Sequence, residues 1–185
     1  MKEDVFRNTV LAILKAQPGL GSIQLKKALI LTDATYHALF GESLTGAKYI
    51  KFPHGPVPDF DAYNFLSRML YKECAIDIIE EAIGPVTQNS YFANKVPDPG
   101  IFNEEIDKII RFAADVAKKY SATKLSDMTH DDVYDSTPMR SEIPLNKVCT
   151  LTVTDRLDTP NFTDEEKFEL TKVLNTDEIA GYSFV

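Results

Sequence analysis

The sequence predicts an α+β fold: a predominantly α-helical single domain with a small antiparallel β-hairpin. Three observations lead there. Several long stretches carry apolar residues at helical spacing. Residues 75–92 instead mix β-rich residues on both sides of Gly84-Pro85, the pattern of a hairpin. At 185 residues with 44% hydrophobic content, the chain is long enough for one domain with a real core.

Residues 4–16 place Val5, Phe6, Val10, Ile13 and Leu14 on one face of a first helix, which Pro18-Gly-Leu-Gly21 ends. Ser22 is a good N-cap for a second helix running to about Phe40, where Gly41 supplies the stop. In that helix Leu25, Leu29, Thr32, Tyr36 and Leu39 trace the inner stripe, with Lys26, Lys27 and Asp33 off it. Asp59 starts a third helix whose inner side is marked by Phe60, Tyr63, Asn64, Leu66, Ser67 and Leu70. The hairpin of 75–93 follows, then the loop Pro97-Asp-Pro-Gly100.

Residues 103–119 form the clearest helix. Asn103 caps it, Glu104 and Glu105 complement its N-terminal dipole, and Lys118 and Lys119 its C-terminal one. Ser121 opens a short helix to about Thr129 that turns Leu125 and Met128 inward. From Asp131 to Pro160 the prolines predict irregular chain, apart from a short strand over 149–153. Thr163 and Glu166 make a capping box for a last helix to about Leu174. The expected organisation is one domain over 1–150, with 151–185 as an extension packed on it.

Between the second and third helices lies Leu44-Thr-Gly-Ala-Lys-Tyr-Ile-Lys-Phe-Pro-His-Gly-Pro-Val-Pro58. Gly46 permits a turn at positive φ, Tyr49 to Phe52 read as a short strand, and Pro53, Pro56 and Pro58 restrict the residues before them. The segment reads as a rigid joint between two helices, which its neighbours must fit.

The charge is unevenly spread. Residues 1–72 hold nine Lys or Arg against six Asp or Glu, while 73–185 hold eleven against twenty-two, for a net −8. A protein that grips phosphates carries a positive surplus; this balance favours a soluble surface or a basic protein partner, and makes nucleic acid unlikely as a partner. No apolar run reaches membrane-spanning length, and Met1-Lys-Glu-Asp lacks the layout of a signal peptide. Cys74 and Cys149 match no metal or disulfide spacing. The simplest reading is a cytoplasmic protein with reduced thiols and no membrane contact.

Catalytic patterns are weak. His37, His54 and His130 have no ligand spacing among them, so backbone hydrogen bonding or capping explains His54 and His130 better than metal. Ser121-Ala-Thr-Lys124 fits the Ser-x-x-Lys pattern of acyl-enzymes but lacks its partner motifs, and Ser121 reads as a cap. Asp131-Asp132 and Asp164-Glu165-Glu166 read as solvated charge. With two prolines in five residues, His54 to Pro58 offers too few N–H groups to cradle a phosphate. No enzyme activity, cofactor or metal is expected. The helix–hairpin order and Lys26-Lys27 support, as the alternative, a winged-helix-like nucleic-acid-binding regulator, although the strand stands in the wrong place for that order and the candidate recognition helix, the second, carries Asp33 and has no Arg to read guanine.

Several motifs in order, over roughly residues 5–135, resemble the Panacea antitoxin domain, also called SocA-like or phage-associated. They are the leucine-rich helix with Asp33 and His37, the turn Thr45-Gly46-x-x-Tyr49, the element His54-Gly55-Pro56-Val57, and Leu125-Ser126-x-x-Thr129-His130. The family usually has an aromatic, often Trp, after the last His; this chain has no Trp, and Tyr134 is its aromatic there. The resemblance implies a helical α+β fold without enzymatic activity. It implies neutralisation of a toxin by direct binding and, in one branch, delivery of that toxin to a protease. The motif spacing, with both segments short and sharply terminated, further predicts that the corner 44–58 packs against the helix that ends at His130. For the partner-binding anchors, the hairpin points to Tyr91 and Phe92, which as neighbours in a strand face opposite sides. The competing expectation is that the extension, with Phe162 and Phe168, covers them.

Overall fold

The computed structural model describes residues 1–83, 86–130 and 132–145. Across them the elements run α1 (Glu3–Ala16), β1 (Leu20–Gly21), α2 (Ser22–Phe40), β2 (Tyr49–Phe52), β3 (Gly55–Pro58), α3 (Phe60–Tyr71), β4 (Ile76–Ile83), β5 (Val86–Ala93), α4 (Glu104–Lys119), α5 (Ala122–Asp127) and α6 (Asp132–Ser136). The fold is α+β and helix-dominated, with small antiparallel sheets.

Helix α2 is the centre of the domain. Leu25 and every residue from Lys27 to Thr35 are buried, so the one-sided stripe expected of it gives way to burial all round. The reason is that α1, α4 and hairpin β2–β3 all pack on it. Ser22 is the first helical residue rather than the cap. Gly21 takes the cap position, and its N–H donates to Gln24 Oε1 at 2.9 Å. Gln24 also donates to the carbonyls of Ala117 and Tyr120, which would otherwise be left open at the end of α4. Opposite α2, Phe6 of α1 meets Phe65 of α3 edge-on at 5.8 Å. Fully burying rings such as Phe6 and Phe112 contributes about 2–3 kcal/mol each.

Strand β1 is the element that residue pattern did not reveal. Its two residues pair antiparallel with Tyr91 and Ser90 of β5, so the larger sheet runs β1-β5-β4. Two residues are too short a stretch for alternation to register. With β1 between α1 and α2, the order helix, strand, helix, helix, hairpin is that of a winged helix. The strand that stood in the wrong place belongs to β2–β3, inserted between α2 and α3.

That insertion is a hairpin, not a single strand and corner. Ile50 lies opposite Val57 and Phe52 opposite Gly55. Prolines are tolerated in β3 because they face Lys51 and Tyr49, whose backbone groups are used on the other edge. There Lys51 N–H donates to Ser141, while Arg140 and Ile143 N–H donate to the carbonyls of Lys51 and Tyr49. Residues 140–143 thus run along β2, within a region where only irregular chain was expected. Helix α6 is a second ordered piece there, too short for periodicity to show.

Helix α3 begins where expected: Asp59 caps it, accepting from Ala62 N–H at 3.0 Å. Its buried residues, however, are Ala62, Phe65 and Met69. Phe60 is 78% exposed and Tyr63 40%, contrary to their expected inward placement. The helix carries apolar side chains on two faces, and α1 takes the one that includes Phe65. Helices α4 and α5 follow expectation, with Asn103 accepting from Ile106 N–H and Ser121 from Lys124 N–H. The strand expected over 149–153, the helix over 163–174 and the extension over 151–185 lie outside the described residues.

Candidate protein-binding surface

Asp33 is fully buried in the middle of α2 and is the residue on which the chain after that helix is hung. One carboxylate oxygen accepts from Ser43 Oγ at 2.9 Å and Thr45 N–H at 2.8 Å; the other accepts from Thr45 Oγ1 and from Tyr49 OH at 2.7 Å. Ser43 Oγ in turn accepts from Gly46 N–H, and Thr45 Oγ1 from Ala47 N–H. The spacing Thr45-Gly46-x-x-Tyr49 is what one carboxylate requires: a hydroxyl and an N–H at the turn, a positive φ at Gly46 (66°), and a phenol reaching back from the strand. Burial raises the Asp33 pKa, a rise its four hydrogen bonds oppose. The Tyr49 phenol is held well above its ordinary value by burial and by Asp33.

Lys27, six residues earlier, is buried as well, at 3% exposure, and donates to the Pro56 carbonyl at 2.9 Å. Burial, aided by the adjacent Lys26 charge, lowers its pKa to about 7. Gly55 makes this approach possible. Its φ is 92°, and a side chain there would run into Thr129 Oγ1 and Lys27 Nζ. Thr129 is the last buried residue of the Leu125-Ser126-x-x-Thr129-His130 segment, and its hydroxyl donates to Ser126 O at 2.8 Å.

The expected contact between the corner and the helix leading to His130 is therefore present. It is extended by Tyr134, whose OH donates to Phe52 O at 2.6 Å and whose ring stacks on His130 at 4.1 Å. Lys51 Nζ lies 4.3 Å from the Tyr134 ring centre and donates to the Tyr134 and Asp135 carbonyls. The exposed His130 ring is held below its ordinary pKa by partial desolvation and the nearby Lys27 charge.

The structure thus brings together Asp33, Thr45, Gly46 and Tyr49 in one cluster. It brings Gly55, Pro56, Leu125, Ser126 and His130 together in a second, against Lys27. His37 sits apart on the last turn of α2, its carbonyl accepting from Gly41 N–H. His54 is exposed at the hairpin tip and Val57 half-buried beside it. The His130 ring stacks on Tyr134. Tyr91 and Phe92 are both half-buried: Tyr91 packs on the core, and Phe92 lies against Gly19. Phe162 and Phe168, expected as their cover, lie outside the described residues. Among the described residues no group of three or more His, Cys, Asp or Glu is placed to hold a metal ion, and no helix is long and apolar enough to cross a membrane.

Between β2–β3 and α3 runs an open groove of about 580 Å³. Its walls are Phe52, Val57 and Pro58 on one side and Phe60 and Tyr63 on the other, with Lys26, Lys27, His54 and Arg140 contributing the basic groups. Asp59 is the acid in the lining, and its carboxylate caps α3. Lys26 Nζ lies 4.9 Å from the Tyr63 ring centre. A smaller cleft of about 220 Å³ shares Lys26 and Tyr63 with this groove and is lined further along by Tyr71 and Tyr91. Phe60 and Tyr63 differ from their expected inward placement because α1 covers the face with Phe65 instead. The available signal was that α3 has aromatics on more faces than one neighbour can cover.

The profile of the family described as "Antitoxin SocA-like, Panacea domain" matches residues 25–133, more than half of the chain. The match spans α2, both hairpins, α4 and α5, and with them both buried clusters. No curated protein and no solved structure matches the chain. The chain belongs to the SocA-like Panacea antitoxin family.

Proposed function

We propose that this chain is an antitoxin that neutralises a cognate protein toxin by binding it directly, with no chemical step of its own. The observation that supports this reading is the family match over residues 25–133. The distribution of polar groups supports it too. The ionisable side chains that sequence and structure single out are committed to holding the fold: Asp33 to a turn, Lys27 to a carbonyl, Lys51 to two more. Several large aromatics, Phe52, Phe60, Tyr63 and Tyr71 among them, are exposed. A buried polar scaffold that displays apolar side chains is suited to recognition, where a few aromatic anchors carry most of the binding energy. The hairpin residues Tyr91 and Phe92 remain candidates for such anchors, beside Phe60 and Tyr63. Delivery of the captured toxin to a protease is the further step that one branch of the family suggests.

The winged-helix order invites nucleic acid as the alternative. Against it, the helix that would read DNA in the observed order is α3, not α2; its Arg68 is paired with Glu3 and Glu73, its exposed face carries Phe60, Asp61 and Tyr63, and β4 carries Asp77 and Glu80. Phosphate needs cations at such positions.

The test is co-expression with the product of a neighbouring toxin-like reading frame. Growth arrest should be relieved only when this chain is present, and the two purified proteins should co-elute as a complex. Persisting arrest, or relief without a complex, would overturn the reading. A shortened toxin half-life that depends on a host protease would identify the adaptor branch; an unchanged half-life would leave simple capture.

A further inference from the structure

We infer that the groove between β2–β3 and α3 is a docking site for a segment of a partner protein that carries carboxylates beside aromatic or aliphatic side chains. This rests on the reading above that the chain works by binding protein, and it adds where and to what chemistry.

Phe60 at 78% exposure, Phe52 at 42% and Tyr63 at 40% are large apolar side chains left in water on facing walls of one cleft. Phe40 at 43% and Tyr71 at 78% are exposed too, but neither lines this groove, where three such rings converge. Burying these three against a partner would supply the central apolar anchors of an interface. The walls are also fixed in place. The hairpin is held by the Asp33 turn, by Lys27 and by residues 140–143, and α3 by its Asp59 cap and by Phe65 against Phe6. A partner therefore loses little to ordering this side of the contact.

Charge selects the occupant. The molecule has a net charge of −8, yet this groove is lined by Lys26 and Arg140, with His54 at the hairpin tip; Lys27 lies buried at its floor, already bonded to the Pro56 carbonyl. The facing acid, Asp59, already accepts a helix N–H. Lys26 has its ammonium over the Tyr63 ring, where a carboxylate from an apolar segment packed on that ring would meet it. A basic segment would meet like charge at several points, at a cost on the order of a kcal/mol or more each once partly desolvated. A nucleic-acid strand could stack on the aromatics, but the apolar walls and the neighbouring Asp61 give its phosphates little to hold.

The experiment uses the full chain and fluorescence anisotropy with three labelled probes: a short peptide alternating Glu and Phe, the same peptide with Lys for Glu, and a single-stranded oligonucleotide. Phe60→Ala and Arg140→Glu serve as variants, since both side chains are exposed and a matching melting temperature checks the fold. The expected result is binding of the Glu/Phe peptide that weakens with salt and falls at least about tenfold in each variant. Four results would overturn the proposal: no binding of that peptide, equal or better binding of the Lys peptide, displacement by the oligonucleotide, or indifference to both substitutions. So would a dimer that Phe60→Ala converts to monomer, because the occupant would then be a second copy. Toxin neutralisation by the same variants separates this idea from the antitoxin reading. Full neutralisation by both variants removes the groove and leaves the antitoxin. A wild-type chain that neutralises nothing but still takes the Glu/Phe peptide removes the antitoxin and leaves the groove.

Discussion

Hairpin β2–β3 has eight residues in its strands and is tied both to α2 and to residues 134–143, whereas β4–β5 has sixteen and joins the rest of its sheet only through the two residues of β1. In the first, Tyr49 reaches Asp33, the Pro56 carbonyl holds Lys27, and Lys51 bonds across to residues 134–141. In the second, Ile79, Glu80, Ala82, Thr87 and Gln88 are exposed, and the register from Ile76↔Ala93 outward is kept by the two strands themselves. The lesson is that strand propensity and rigidity are separate properties. The proline-bearing hairpin is the anchored one, because Lys27 bonds to its backbone, Asp33 to its Tyr49 hydroxyl, and residues 140–143 to its outer edge. The longer hairpin packs on the core at its base, through Ile76, Tyr91 and Phe92, and its outer half is left to its own strand pairing. The rigid hairpin is also the one that walls the groove.

The sharpest way to break this comparison is to remove the central tie. Asp33→Ala leaves the Thr45 N–H, the Thr45 hydroxyl and the Tyr49 phenol buried without an acceptor, and is expected to cost about 3–5 kcal/mol in urea unfolding. Asp33→Asn should cost clearly less, since an amide oxygen still accepts from the turn. A loss below about 1 kcal/mol for Asp33→Ala would show that the turn holds itself.

Next in size is Gly55→Ala. The added methyl meets Thr129 and Lys27, and the residue must keep a positive φ, so a loss of roughly 2–4 kcal/mol is expected. A melting curve near wild type would mean that the hairpin and α5 separate freely.

Lys27 gives a pH signature with a definite sign. Its folded pKa of about 7 lies below the ordinary 10.5, so the unfolded chain binds more protons between those values. Its burial therefore costs most below pH 7, and the cost is relieved as pH rises toward 10.5. The chain should gain up to about 1.4 kcal/mol per pH unit from this group over that range, and Lys27→Met should lose that part of the slope. Parallel stability–pH curves for the two proteins would show that Lys27 is solvated.

The smallest effect belongs to the other hairpin. Glu80→Ala on exposed β4 should change stability by no more than about 0.5 kcal/mol. A larger loss would mean that β4–β5 is held by contacts of its own, and the contrast between the hairpins would narrow.

Much of this domain could be read from residue order. The limits of α1, the Asp59, Asn103 and Ser121 caps, the hairpin of 76–93 and the turn at Gly46 all follow from local chemistry: spacing, capping oxygens and the freedom of glycine. The motif residues were visible as a pattern, but their partners were not. Nothing near Asp33 in sequence says that Ser43, Thr45 and Tyr49 will share its carboxylate, and nothing near Lys27 marks it as buried. Those facts depend on what packs around α2, and packing is not local. The same holds for α3. Periodicity established that one face must be covered, but the choice between Phe60 with Tyr63 and Phe65 with Met69 was made by α1, which offers Phe6 to Phe65 and Arg7 over the same ring. What the sequence determined by itself was the set of elements and their ends, because backbone hydrogen bonds and caps are satisfied within a few residues. What only the tertiary structure decided was which apolar face is left in water and which charges are taken out of it, because both are settled by neighbours distant in the chain.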